Sequence, residues 1–168
     1  MSPRPIRTEG DLAYVPLTQG KTAVVDAADV PLVEGSNWFA LNFAGKFYAG
    51  KKEKLPDGRR RVTYMHRLIA GTPQGMDTDH INRDALDNRR ANLRHATRSE
   101  NNMNRCTQKS NTSGFNGVSI HTQERKWQAH IRVSGKLKFL GFHPTAEAAH
   151  EAYCQAAKKF HGEFARTA

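Results

Sequence analysis

An aspartate and a histidine stand side by side at Asp79-His80, in a stretch crowded with amides and guanidinium groups. Those residue types suit the hydrolysis of a phosphodiester. That reaction needs a base to activate water, a hard cation to neutralise charge at the leaving oxygen, and a partner that holds the base in the right tautomer. Imidazole fits the first role, and carboxylate and amide oxygens are the donors a hard divalent cation accepts. If Asp79-His80 closes a strand, side-chain alternation sends the two groups to different sides, one toward a metal and the other toward water. By itself, an Asp-His dipeptide among asparagines is also what an ordinary polar loop contains.

Charge favours an anionic partner. The chain has 168 residues, 26 Lys and Arg against 16 Asp and Glu, and a formal charge of +10. The excess is not uniform: residues 1–45 carry a net −2, residues 46–112 a net +8 and residues 113–168 a net +4. A balance of this kind is the footprint of nucleic-acid binding, with a generally basic surface as the alternative. No apolar run is long enough to span a bilayer, so no membrane partner is expected. The start, Met1-Ser2-Pro3-Arg4-Pro5, lacks the apolar core of a secretory leader. Cys106 and Cys154 are too few for a disulfide framework or a cysteine-rich zinc site, and read as free thiols in a reducing, cytoplasmic setting.

The elements that must position these groups can be read from pattern and punctuation. Residues 12–64 look β-rich: Ala13 to Leu17 and Thr22 to Val25 about a Gln19-Gly20-Lys21 turn, a helical turn near Asp29 to Val33, and a hairpin of Trp38 to Leu41 with Lys46 to Lys52 about Ala44-Gly45. A further strand runs from Arg59 to Met65 after Pro56-Asp57-Gly58. Residues 66–105 have few core formers and read as loop unless an ion or partner organises them. Residues 106–112 read as a polar linker. Residues 113–168 read as a three-stranded antiparallel sheet on one helix, with strands near 117–121, 127–133 and 137–142. The helix is capped by Thr145, stopped at Gly162, and carries an Ala149, Ala152, Tyr153, Ala156, Phe160 stripe.

The spacing of the middle section is specific. Asp79-His80, then Asn92, then Asn101, with Met65-His66-Arg67-Leu68-Ile69 upstream and Asn88-Arg89-Arg90-Ala91-Asn92-Leu93-Arg94 around the second position, resembles the HNH homing-endonuclease family over about residues 62–105. It looks like the phage-type subgroup whose third position is Asn. The resemblance implies a ββα-metal fold in which His80 is the general base and Asn92 hydrogen-bonds and orients its imidazole. Asp79 and Asn101 hold a divalent metal, magnesium first and manganese as the alternative, with Asn101 on a short helix opened by Thr97 or Ser99. The implied products are a 5′-phosphate and a 3′-hydroxyl. Arg83, Arg89, Arg90, Arg94, Arg98 and Arg105 are expected at DNA phosphates. His66 is expected in a structural or phosphate-contact role and His95 in packing.

In the last section Trp127, Ala129, Ile131 and Val133 take one face of a strand and Gln128, His130 and Arg132 the other. The helix is expected to cover the first face and leave the second open. Ser113-Gly114-Phe115-Asn116-Gly117-Val118, Lys126-Trp127-Gln128-Ala129-His130-Ile131-Arg132, Leu140-Gly141-Phe142 and Glu147 to Tyr153 resemble the Apetala-2/ethylene-response-factor DNA-binding domain. That resemblance implies a sheet docked in the major groove, with Asn116, Ser119, His121, His130, Arg132 and Phe139 at base-contact positions and Lys138 at phosphate. Several of these positions are Arg or Trp in plant members, so the plant target sequence is not expected.

The sequence therefore points to an α+β protein. A β-rich N-terminal section leads into a ββα-metal nuclease core (residues 1–105), followed by a linker (106–112) and a DNA-targeting module (113–168). Its expected partner is double-stranded DNA, met as a monomer with one active site. A non-catalytic DNA-binding regulator is the competing reading. An RNA-binding role is disfavoured because the sheet face lacks paired exposed aromatics.

Overall fold

The β-rich start of the chain folds as strands of alternating burial. A computed structural model describes residues 3–104 and 111–165; Arg105, Cys106 and most of the expected linker lie outside the described residues. The chain divides into two compact units, Met1–Thr97 and Arg98–Ala168, and the architecture is α+β.

In the first unit β1 (Arg7–Glu9), β2 (Leu12–Pro16) and β3 (Thr22–Asp26) form an antiparallel sheet in that order. A 3-10 turn and α1 (Val30–Val33) follow. A second antiparallel sheet is built from β4 (Phe39–Phe43), β5 (Lys46–Lys54) and β6 (Arg60–Tyr64). Ala13, Val15, Ala23 and Val25 point one way along β2 and β3 and join Trp38, Ala49, Met65 and Ile69 in one core. Trp38 sits there at 1 % exposure because its indole N–H has a partner, the Val33 carbonyl at 2.7 Å.

Residues 66–104 are not the loop their composition implies. α2 (Met65–Ala70) replaces the last residue of the expected strand and continues as a helix. Met65, Leu68 and Ile69 have helical spacing and give it one apolar edge on the core. Gly71, at φ 59°, ends it by returning its N–H to the last turn. β7 (Asp77–His80) and β8 (Leu93–Ala96) then form an antiparallel hairpin whose connection is twelve residues long. The His95 ring bonds the Ala70 carbonyl at 2.9 Å, fastening β8 to the end of α2, which is the packing role expected of it.

The second unit begins with α3 (Arg98–Met103). β9 (Val118–His121), β10 (Lys126–Val133) and β11 (Lys136–His143) form an antiparallel sheet with β10 central. α4 (Ala146–His161) covers one face, and the Thr145 side chain accepts from the Ala148 N–H at its start. Ala129, Ile131, Ala149, Tyr153 and Ala157 are buried between them. Phe160, expected on the buried stripe, is 37 % exposed; Ala157 takes that place and Lys138 lies over the Phe160 ring. Gly117 permits the close approach of α4: at φ 67° a Cβ would fall 2.3 Å from the His130 carbonyl oxygen and 2.5 Å from the Tyr153 ring.

Candidate active site and nucleic-acid interface

The hairpin places Asp79 and His80 at the end of β7, and both are nearly buried, at 5 % and 7 % exposure. Being consecutive in a strand, they face opposite sides. Asp79 pairs across the ladder with Arg94, whose guanidinium gives the carboxylate Oδ2 two bonds, 2.9 Å from Nε and 2.7 Å from Nη2. His80 pairs with Leu93 on the core side, and its ring lies among Tyr48, 6.3 Å away, and His66, 5.1 Å away edge-on.

The long connection between β7 and β8 is ordered by bonds in place of apolar packing. Val24 of β3 accepts from the Asn88 N–H at 2.7 Å and donates to the Leu86 carbonyl at 2.8 Å, so the loop runs as a parallel rail beside the first sheet. Asp87 receives Arg89 in a two-pronged pair and the Asn82 amide at 2.8 Å. Arg90 grips the buried Asp29 carboxylate, and its backbone N–H donates to Asp26. Residues 12–30, which carry no chemical motif, thus supply one wall of the site.

The tautomer of His80 follows from this framework. Asn88 is fully buried and donates its Nδ2 to the Leu86 carbonyl, so its Oδ1 is what faces His80 Nε2, 3.2 Å away. An acceptor there makes Nε2 the protonated nitrogen and Nδ1 the basic one. Burial holds the His80 pKa below its ordinary value, against the opposing pull of Asn88, Asp79, Asp84 and Asp87, so the ring is neutral at pH 7 and able to take a proton.

Here the structure corrects the expected role of Asn92. Its amide does not meet the imidazole; it accepts from the Asn82 N–H at 2.9 Å and donates to the Asp87 carbonyl at 2.7 Å. Asn92 closes the loop, and the residue at the imidazole is Asn88. The signal was present in the sequence, since Asn88 sits eight residues past His80. Short side chains that bond local backbone are hard to tell from those that bond across a fold.

The expected phosphate contacts divide. Arg94 is largely buried against Asp79, and Arg89 and Arg90 are committed to Asp87 and Asp29 while keeping exposed parts. Arg83 turns the chain at φ 69°, and Arg98 is exposed at the start of α3. Asn101 lies on α3, half-buried, in the second unit. His66, expected as structural, is buried, and its Nδ1 has no hydrogen-bond partner; burial and the neighbouring His80 and Arg67 lower its pKa to about 3.

In the second unit the sheet's open face carries Ser119, His121, Gln128, His130 and Arg132, as read from the register of β9, β10 and β11. Asn116 is half-buried in the turn before β9. Lys138, expected at phosphate, pairs with Ile131 and so lies on the helix side of the sheet. A bulge in β11 overturns another expectation. The ladder shifts between Ala129↔Gly141 and His130↔Phe139, which brings Phe139 and Phe142 to the same open face, 5.0 Å apart. The face does carry paired exposed aromatics.

A family model described as HNH endonuclease matches residues 63–103, which hold α2, the β7–β8 hairpin and α3. The chain is 32 % identical over 108 residues to Protein 3.8 of Escherichia phage T7, covering 64 % of this chain and 88 % of that protein. The chain belongs to the HNH endonuclease family. An uncharacterized HNH endonuclease of Acanthamoeba polyphaga mimivirus is 28 % identical over 149 residues, 88 % of this chain and 74 % of that one. An AP2-like ethylene-responsive transcription factor of Arabidopsis thaliana is 41 % identical over 54 residues, which are 32 % of this HNH chain but 11 % of the plant protein. No solved structure matches the chain. Among the described residues no helix is long and apolar enough to cross a membrane, and no three His, Cys, Asp or Glu side chains converge as a metal cage.

Proposed function

We propose that this HNH protein is a divalent-metal-dependent, homing-type DNA endonuclease that cuts a phosphodiester to leave a 5′-phosphate and a 3′-hydroxyl, with residues 1–105 as the nuclease and 113–168 as the targeting module. The observation that carries the reading is the Asn88-held, buried imidazole of His80 next in the chain to the buried carboxylate of Asp79. His80 takes the proton of the attacking water at Nδ1, while its Nε2–H stays on Asn88. Asp79 is the residue of the first unit that would hold the cation, and a carboxylate oxygen suits magnesium, or manganese, better than zinc. A cation held there supplies charge neutralisation at the scissile phosphate and at its departing oxygen. Asn92 keeps the loop closed under His80, and Arg83, Arg89, Arg90 and Arg98 offer their exposed parts to the DNA backbone. Arg94 acts on Asp79 in place of a phosphate.

The targeting module lays its open face in the major groove, with Ser119, His121, His130, Arg132 and Phe139 toward the base edges and Asn116 at the rim. The chain acts as a monomer with one active site and therefore nicks one strand per encounter. The viral relatives support action in the cytoplasm of an infected cell.

Supercoiled plasmid with magnesium tests this reading. Wild type is expected to relax it. His80→Ala is expected to lose at least about a hundredfold in rate, the typical share of a general base, while binding DNA equally well in a gel shift. A wild type that binds DNA containing its selected site but never cuts it, with any divalent metal, would return the protein to the competing reading, a DNA-binding regulator.

A further inference from the structure

The open face of the C-terminal sheet holds more apolar surface than a solvated sheet needs. Leu137, Phe139 and Phe142 are 60 %, 53 % and 43 % exposed. Three positions apart on a regular strand, Phe139 and Phe142 would point to opposite faces. The bulge at Leu140-Gly141, with Gly141 at φ 118°, restores them to one side. There they form a row of rings crossing the sheet: His121 to Phe142 at 5.1 Å, Phe142 to Phe139 at 5.0 Å, Phe139 to His130 at 5.2 Å. Contiguous apolar surface rimmed by polar groups marks a contact site.

The rim says what kind. Lys126 and Arg132 flank the row on β10, and residues 113–168 carry a net +4. A basic rim around an apolar strip fits a polyanion that itself presents apolar groups. In the major groove of duplex DNA the group that meets this description is the 5-methyl of thymine, which apolar side chains recognise by contact.

We propose that Phe139 and Phe142, extended by Leu137, form an apolar seat for thymine methyl groups, so that the sheet distinguishes thymine from the other bases by contact with its methyl. This rests on the reading of the sheet as a major-groove binder and adds to it the chemical group that is read. The phenyl rings cannot exchange hydrogen bonds with base edges, so their selectivity comes from buried methyl area. Ser119, Gln128 and Arg132, on the same face, supply the donors and acceptors for neighbouring positions.

The test uses the full chain in metal-free buffer, so that nothing is cut. Duplexes that bind are selected from a random pool, then remade with uracil in place of thymine, which deletes only the methyl groups. Binding is expected to weaken about fourfold for each seated methyl, the usual worth of one buried carbon. Phe139→Ala is expected to bind the thymine duplex more weakly and to bind the uracil duplex no worse than it binds the thymine one. Equal binding of both duplexes by wild type overturns the methyl seat and leaves the groove reading intact. No enrichment of any duplex overturns the groove reading itself. Tighter binding of single strands, indifferent to uracil, overturns the seat in favour of base stacking on the rings. The wild-type uracil arm needs no variant, so a folding defect in Phe139→Ala cannot hide the result.

Discussion

The two units invert the ordinary rule of burial in opposite senses. In the β7–β8 hairpin the polar side chains are inside: Asp79, His80, Asp87, Asn88 and Asn92 are all buried, while Ile81 is 45 % exposed. In the C-terminal sheet the apolar ones are outside, and the open face shows Leu137, Phe139 and Phe142 to solvent. Each inversion costs stability, and each matches a task. Chemistry at a phosphate needs fixed dipoles withdrawn from water, where they are strong and need no reorganisation. Reading a groove needs side chains that stand out from the surface. The contrast gives a physical criterion for a working face: groups placed where solvation alone would not put them.

The buried polar groups of the hairpin are expected to be indispensable. Arg94→Ala would take the guanidinium away from the buried Asp79 carboxylate, a loss of about 3–5 kcal/mol. Thermal unfolding is expected to show it, and added magnesium to restore part of it, because a bound cation replaces the missing charge. No rescue by any divalent ion would argue against Asp79 as a ligand. In the second unit the matching break is backbone. Gly117→Ala must push its Cβ against the His130 carbonyl and the Tyr153 ring, at a cost of more than about 2 kcal/mol. Hydrogen exchange is expected to rise in β9, β10 and α4 while the hairpin stays protected.

Smaller effects sharpen the contrast. Asn88→Ala takes the amide away from its buried partners and is expected to cost about 1–3 kcal/mol and to lower the nicking rate more than Asn92→Ala does, when both are compared at equal folded fraction. A larger rate loss in Asn92→Ala would return the orienting role to that residue. At pH 7 His66 provides the smallest effect, and it carries a pH signature that grows on acidification. Its folded pKa of about 3 lies below the ordinary 6.5, so at pH 7 both folded and unfolded forms are neutral. As pH falls below 6.5 the unfolded chain binds a proton that the folded one refuses. Stability therefore declines toward pH 3, by at most about 1.4 kcal/mol per pH unit. His66→Gln is expected to flatten that slope in denaturant titrations between pH 7 and 4, and an unchanged slope would assign the acid sensitivity elsewhere.

Much of this was legible in the sequence, and the exceptions share a cause. Alternating apolar residues announced β2, β3 and β10, and Thr145 and Gly162 marked α4, because these signals are local. α2 hides from pattern although Met65, Leu68, Ile69 and Gly71 spell a short helix and its stop, since the polar region after it has the composition of a loop. The pair Asp79-His80 was legible from spacing. Asn88, Arg94 and the Val24 rail were not, because their meaning lies in which distant group they meet. The β11 bulge was invisible for a related reason: a single shift of ladder partners reassigns every later side chain to the other face, and the sequence 137–142 reads as a regular strand until its neighbour is known.

The rail between Val24 and the Leu86–Asn88 segment bears on how this HNH protein can be taken apart. The family signature spans residues 63–103. The carbonyl and N–H that hold the Asn88 loop in line belong to β3, well upstream of that span, and the carboxylates that hold Arg90 stand at the end of that strand and in the 3-10 turn after it. A fragment cut at the signature would keep every motif residue and lose the jig that aligns them. The portable part of this nuclease begins near its first strands, and transplanting it to another targeting module would require carrying that preface along.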